Sequence, residues 1–181
     1  MNWEEKFRIV DSCLESNPDI DADFYIKPNG ATPSEVSQLT NKFPYVPKDY
    51  IRFLTLCNGA DIAQVRFFGT DEYEDNQEIY SDVYPEDSWY VFGADAGGDP
   101  VMLNVKGFIA IGLSKSISSE YRILAGNFSE FLNDVIMGSN HPLLFGVNKS
   151  EFQEFIQKEI EEDPWLEFLV DHKWLNFETK S

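Results

Sequence analysis

Apolar and polar positions along this chain change their period twice. From Ala31 to Asp61 they recur as on a helix. Thr32 precedes Pro33, and Glu35 stands three residues after Thr32. That spacing predicts a capping box, in which hydroxyl and carboxylate each bond a backbone N–H left free by the first turn. Val36, Leu39 and Phe43 follow on one face, and Pro44 ends the helix because it lacks an N–H and disfavours helix in the residue before it. Pro47 starts a second helix with Tyr50, Phe53, Leu54 and Cys57 on its apolar face, and Asn58-Gly59 closes it. Before this pair, Asn2 to Glu15 reads as a helix with Trp3, Phe7, Val10 and Leu14 aligned, broken by Asn17-Pro18-Asp19. Ile20 to Ile26 reads as a short strand or an extended linker, followed by turn residues Lys27 to Gly30.

Beyond Gly59 the period becomes two. Ile62 to Phe68 reads as one strand, with Val65 and Phe67 alternating against Gln64 and Arg66. Ser88–Ala94, Val101–Val105 and Phe108–Leu113 read as further strands, separated by Gly97-Gly98-Asp99-Pro100 and by Lys106-Gly107. Helical spacing returns at Asn127, a cap with Glu130 three residues later, ahead of Phe128, Phe131, Leu132, Val135 and Ile136. Ser150 caps a helix carrying Phe152, Phe155, Ile156 and Ile160, and Pro164 starts a last one with Trp165, Phe168 and Leu169. Helices, then strands, then helices predict an α+β fold: a twisted, mainly antiparallel meander sheet with helices packed around it. One domain over residues 1–181 is expected, with additional C-terminal helices at 149–175 packing back on the body through their aromatic faces.

Composition narrows the function. With 15 Phe, 8 Tyr and 4 Trp the chain has ample material for a packed core, which argues against disorder. Its 32 acidic residues against 14 basic ones give a formal net charge of −18. Such a chain repels nucleic acid and anionic membrane surfaces, so neither is an expected partner. A cationic protein partner is the natural inference; solubility in a salty or acidic niche is the alternative. The two cysteines, Cys13 and Cys57, fall at apolar helix positions and read as buried thiols in a reducing compartment. No signal peptide or membrane-spanning run is read, so a cytoplasmic location is expected. Like-charge repulsion favours a monomer in the unbound state.

The standard catalytic motifs do not occur: there is no phosphate-binding loop, no dinucleotide glycine pattern and no nucleophile elbow. Cys57 and His141 form a conceivable nucleophile and base, but Cys57 lies on an apolar face with nothing nearby to lower its pKa. Zinc spacing is missing, and the acidic run Asp71, Glu72, Glu74 and Asp75 lacks the central glycine of a calcium loop. No cofactor is expected. Asp95, Gly97, Gly98 and Asp99 read as turn formers, and the sequons at Asn127 and Asn148 as helix caps. Glu159, Glu161, Glu162 and Asp163 read as an exposed helix end.

The strongest charge feature lies between Phe67 and Val105, which holds ten carboxylates and no Lys or Arg. The candidate partner-binding residues are its first part: Asp71, Glu72, Tyr73, Glu74, Asp75, Glu78, Tyr80, Asp82, Tyr84, Glu86, Asp87 and Trp89. Asp71 to Asp87 reads as a polar loop with a helical turn near Glu78–Tyr84. Carboxylates steer a cationic protein, and aromatics supply buried anchors on binding. The competing reading is a solvated acidic loop whose aromatics turn inward to the sheet.

The run T-P-S-E-V…L…F-P…V-P-K-D-Y-I-R-F-L…C-N-G-A resembles the start of the SUKH superfamily, which includes bacterial immunity proteins and fungal cell-wall-synthesis regulators. The likeness continues through Trp89–Val105, where that family has a hairpin with a Gly/Asp-rich turn, and ends in the helix Asn127–Ile136, so the core resemblance spans 31–136. It implies the same α+β fold and a binding protein without catalytic residues. It further implies immunity: a cytosolic protein that binds and neutralises a cognate toxin domain, often a nuclease. The alternative is a regulatory scaffold for an endogenous partner, and a third class is a hydrolase using paired carboxylates.

Overall fold

The structure, a computed structural model, describes residues 1–113 and 119–176. The chain divides into two compact units. One is formed by Tyr25–Phe128, the other by Met1–Phe24 together with the residues from Ser129 onward. In chain order the elements are α1 (Trp3–Cys13), β1 (Phe24–Ile26), α2 (Pro33–Lys42), α3 (Lys48–Leu56), β2 (Ala60–Ile62), β3 (Val65–Phe67) and α4 (Tyr73–Tyr80). Then come β4 (Trp89–Asp95), β5 (Pro100–Asn104), β6 (Ile109–Gly112), β7 (Tyr121–Ala125), a short α5 (Phe128–Glu130), a π-helix at Phe131–Ile136, α6 (Phe152–Glu159) and α7 (Pro164–Asp171). The fold is α+β, and its seven strands lie in sequence order, an antiparallel meander as expected.

In the Tyr25–Phe128 unit the local signals at α2 act as written. Thr32 accepts from the Glu35 N–H at 3.3 Å, while the Glu35 carboxylate accepts from the Thr32 N–H at 2.7 Å. On one sheet face, Tyr90 and Phe92 of β4 meet Tyr50 at ring-centroid distances of 5.5 and 5.6 Å, Phe92 meets Phe128 at 5.6 Å, and Phe53 packs on Phe128 at 5.5 Å. The Tyr50 and Tyr90 hydroxyls share a hydrogen bond at 3.0 Å, which satisfies two polar atoms inside an aromatic core. The opposite face collects Phe68, Tyr84, Trp89, Val91, Met102 and Ala110. Alternation along β4 therefore loads both faces, and all five of its first residues are buried.

Three expectations change. Ile62 to Phe68 is a tight hairpin, not one strand: β2 and β3 pair through Ala60↔Phe67 and Ile62↔Val65. Its corner is Ala63-Gln64, at φ 52° and 67°. Two side-chain-bearing residues in the left-handed region carry a turn that Asn and Gly usually signal, so no residue type marks it. The segment read as a loop after Asp71 is largely the helix α4, beginning earlier than the turn expected at Glu78–Tyr84. β7, which no pattern announced, pairs with β6 through Ala110↔Ile123 and Gly112↔Tyr121. The predicted turns are otherwise in place. Asp95 Oδ1 accepts from the N–H groups of Gly97 and Asp99 at 2.9 and 2.8 Å, and Gly107 takes φ 95° at the β5–β6 corner.

The other unit is helical, with Trp3, Phe7, Val10, Phe24, Trp165 and Leu169 among its buried residues. Asn2 and Glu5 form a capping box on α1, and Asp163 caps α7 by accepting from the Leu166 N–H. Of the two caps expected here, Ser150 and Asn148, it is Asn148 that forms a box with Glu151. Asn is the stronger cap of the two positions because its carbonyl reaches the third N–H while Glu151 bonds back. At the end of the π-helix, carbonyls without an intrahelical donor meet side chains. Lys6 Nζ donates to Asn133 O at 2.8 Å and also to Met137 O, His141 Nδ1 to Val135 O at 3.1 Å, and Trp165 Nε1 to Ile136 O at 3.1 Å.

Candidate functional site

The acidic segment is organised by α4. β3 is short, so β4 runs on past it without a strand neighbour, and α4 fills that position. Gln77 is fully buried there. Its side-chain oxygen accepts from the Val91 N–H at 2.9 Å, and its amide nitrogen donates to the Trp89 carbonyl at 3.3 Å. One amide side chain thus completes the open edge of β4, as a strand residue would.

The aromatics of the segment turn inward. Tyr73 packs at 5.9 Å from Phe43 and 6.2 Å from Tyr90. Tyr84 and Trp89 meet at 6.0 Å on the opposite face of the sheet. All three are buried, and the half-buried Tyr80 donates its hydroxyl to the Gly98 carbonyl at 2.8 Å. In the free protein Tyr73, Tyr84 and Trp89 do not stand exposed as surface anchors; they pack on the sheet, their apolar area removed from water.

The carboxylates separate into two groups. Glu72 is structural, lying between Lys27 Nζ at 3.0 Å, the Arg66 guanidinium and the Gly69 N–H at 3.2 Å. Burial pushes its carboxyl up, but the bonds from Lys27 and Gly69 and the Lys27 and Arg66 charges outweigh that and hold it below the usual range. Asp71 stands 3.7 Å from Lys27, on the rim of an open depression of about 510 Å³ that Tyr25, Glu35 and Asn58 also line. Lys42 lies between Glu74 at 3.9 Å and Glu86 at 3.5 Å. Asp87 accepts from the Ser88 hydroxyl at 2.8 Å. Asp75, Glu78 and Asp82 are exposed, recur at helical spacing on one face, and pair with no Lys or Arg among the described residues. Ile79 stands between them, 69% exposed.

The pair considered for nucleophilic chemistry has the opposite electrostatics. Burial pushes the Cys57 thiol up to about 12, away from the thiolate. His141 is buried and its pKa is lowered by that burial. Among the described residues no three His, Cys, Asp or Glu side chains gather as a metal site.

A capped helix, a proline corner, a second aromatic helix and an ordered meander whose closing helix begins at Phe128 thus stand in sequence order. A model of the SMI1 / KNR4 family (SUKH-1) matches residues 30–134, more than half of the chain. This chain belongs to that family. The SUKH-1 segment takes in both α2 and α3, the whole sheet from β2 to β7, and α4 with its carboxylates. Membership places the protein among immunity- and regulatory-type proteins. Curated proteins offer no match to the chain. Of the site, the sequence located the carboxylates but missed Gln77. Its signal was weak: a single polar residue at the centre of the stripe Tyr73, Gln77, Tyr80, Tyr84.

Proposed function

We propose that this SUKH-1 protein is a non-enzymatic immunity protein of the cytoplasm that binds and neutralises a cognate cationic toxin domain. The observation that carries the reading is the outward face of α4 and of the turn after it, where Asp75, Glu78 and Asp82 have no basic partner among the described residues. A nuclease-type toxin presents lysines and arginines where it holds phosphates, and this face offers carboxylates to the same groups. The remaining carboxylates, Asp71, Glu74, Glu86 and Asp87, extend the field around it and steer encounter. Buried Tyr73, Tyr84 and Trp89 keep the face rigid, so little ordering is lost on binding.

The test pairs the purified protein with a basic nuclease domain encoded beside its gene. Nuclease inhibition is expected, with an association rate that falls steeply from low to physiological salt. Asp75→Lys combined with Glu78→Lys is expected to slow association at least about tenfold, with folding unchanged because both side chains are exposed. A flat salt dependence, or full inhibition by the double variant, would rule the face out. Binding without inhibition, to an endogenous basic protein instead, would favour the regulatory-scaffold reading.

A further inference from the structure

Aromatic and aliphatic surface is exposed on β7, the last strand of the sheet. Tyr121 is 43% exposed and Ile123 56% exposed. Ile123 pairs with Ala110, and Ala110 with Met102, so its side chain continues a row of the sheet face that holds Trp89 and Tyr84. Tyr121 lies 4.8 Å from the Trp89 ring and is stacked on half-buried Phe108 at 6.1 Å. Beneath this patch the sheet is dense: Met102 and Ala110 are fully buried. The patch is a firm apolar surface and not a frayed margin.

It adjoins the acidic segment. The Tyr84 hydroxyl donates to the Glu120 carbonyl, directly before Tyr121. The Ser88 carbonyl accepts from Asn104 Nδ2 at 3.1 Å, on the strand that bears Met102. Glu86, Asp87 and Glu120 are exposed along this border, as is Asp82 one turn earlier. Among the described residues three cations lie close by: Lys106 on the turn into Phe108, Arg122 between Tyr121 and Ile123, and Lys42, which pairs with Glu86 at 3.5 Å; the four carboxylates outnumber them.

We propose that Tyr121, Ile123 and Phe108 form the apolar centre of the partner-binding surface, with Asp82, Glu86, Asp87 and Glu120 as its charged rim. The inference rests on the reading that the partner is a cationic protein, and it specifies which part of that partner docks: a segment with large apolar side chains set among lysines or arginines. Productive interfaces have this anatomy, a dehydrated aromatic or aliphatic centre inside a polar ring. The centre takes the anchoring role that inward-facing Tyr73, Tyr84 and Trp89 do not fill. A second copy of this chain is the wrong occupant, since two molecules of charge −18 repel.

The probes are three synthetic helical peptides of equal length titrated into the ¹⁵N-labelled full chain: Lys/Leu amphipathic, Lys/Ser of the same charge, and Glu/Leu. The Lys/Leu peptide is expected to bind, with the largest amide shifts at residues 82–87, 108 and 121–123. The Lys/Ser peptide is expected to bind at least about tenfold more weakly, and the Glu/Leu peptide not at all. Ile123→Thr and Tyr121→Ser should each weaken the Lys/Leu peptide severalfold, while shifts elsewhere in the spectrum confirm the fold. Equal binding of Lys/Leu and Lys/Ser, shifts confined to other surfaces, or self-association that Ile123→Thr abolishes would each overturn the proposal. Because these peptides report on the patch alone, neutralisation that survives Ile123→Thr refutes the apolar centre and leaves the immunity reading standing.

Discussion

Gln77 does with one side chain what the sheet lacks in backbone. Its amide bonds the Val91 N–H and the Trp89 carbonyl, and it lies 3.5 Å from the Tyr84 carbonyl. Replacing it with leucine keeps the volume and removes the donor and the acceptor together, leaving buried backbone groups of β4 unbonded. Gln77→Leu is expected to destabilise the protein by about 2 kcal/mol, read as a fall in the urea midpoint at constant slope. A loss below about 0.5 kcal/mol would mean that water or a shifted backbone replaces the amide. At this scale the sequence was only half legible. Asp75, Glu78 and Asp82 were identifiable as a charged set because charge is a property of the residue itself. Whether Tyr73 and Tyr84 faced in or out was not, since amphipathic tyrosines serve either way and only the short length of β3 decides it. Gln77 stayed hidden because a polar residue in a polar segment gives no sign of burial.

Elements with local punctuation were legible before any tertiary contact was known. α2 and α3 are delimited by Thr32, Pro33, Glu35, Pro44 and Pro47, whose effects reach only a few residues. The β2–β3 hairpin was not legible, because the pairing of Ile62 with Val65 across two residues imposes positive φ on Ala63 and Gln64 against their preference. β7 was missed for a related reason: its outward positions, Tyr121 and Ile123, are apolar, so the alternation that marks a half-buried strand is blurred. The π-helix end shows how distant side chains complete an element. His141 enters it neutral: burial lowers its pKa, only partly opposed by its bond to the Val135 carbonyl and by the charge of Asp163. The unfolded chain binds a proton near the ordinary value of 6.5, and the folded chain resists it. Stability from this residue is therefore complete above about pH 6.5 and declines as pH falls toward the lower folded value. Thermal unfolding of the full chain between about pH 5 and 6.5, above the range where most carboxylates titrate, should show this slope. His141→Gln should lose it; an unchanged slope would place the linkage elsewhere.

Taken whole, the molecule is strongly anionic, and its 32 acidic residues repel one another in the compact state more than in the open chain. Sodium chloride at about 0.5 M, where screening acts within a few ångströms, is expected to raise the melting temperature relative to low salt. A fall would show that the ion pairs of Lys27, Lys42 and Arg66 outweigh the general repulsion. Fold class and charge were the most legible properties at this scale, because both are sums over many residues. The family segment closes at residue 134, inside the π-helix, whereas the side chains that bond that helix's last carbonyls are Lys6, His141 and Trp165. What recurs across the family and what is structurally complete are thus different lengths of chain. A graft or recombination limited to the shared segment would cut through a helical turn and leave its clasp behind. An exchange that moves the recognition surface onto another host must therefore carry both flanks, or supply three new donors for those carbonyls.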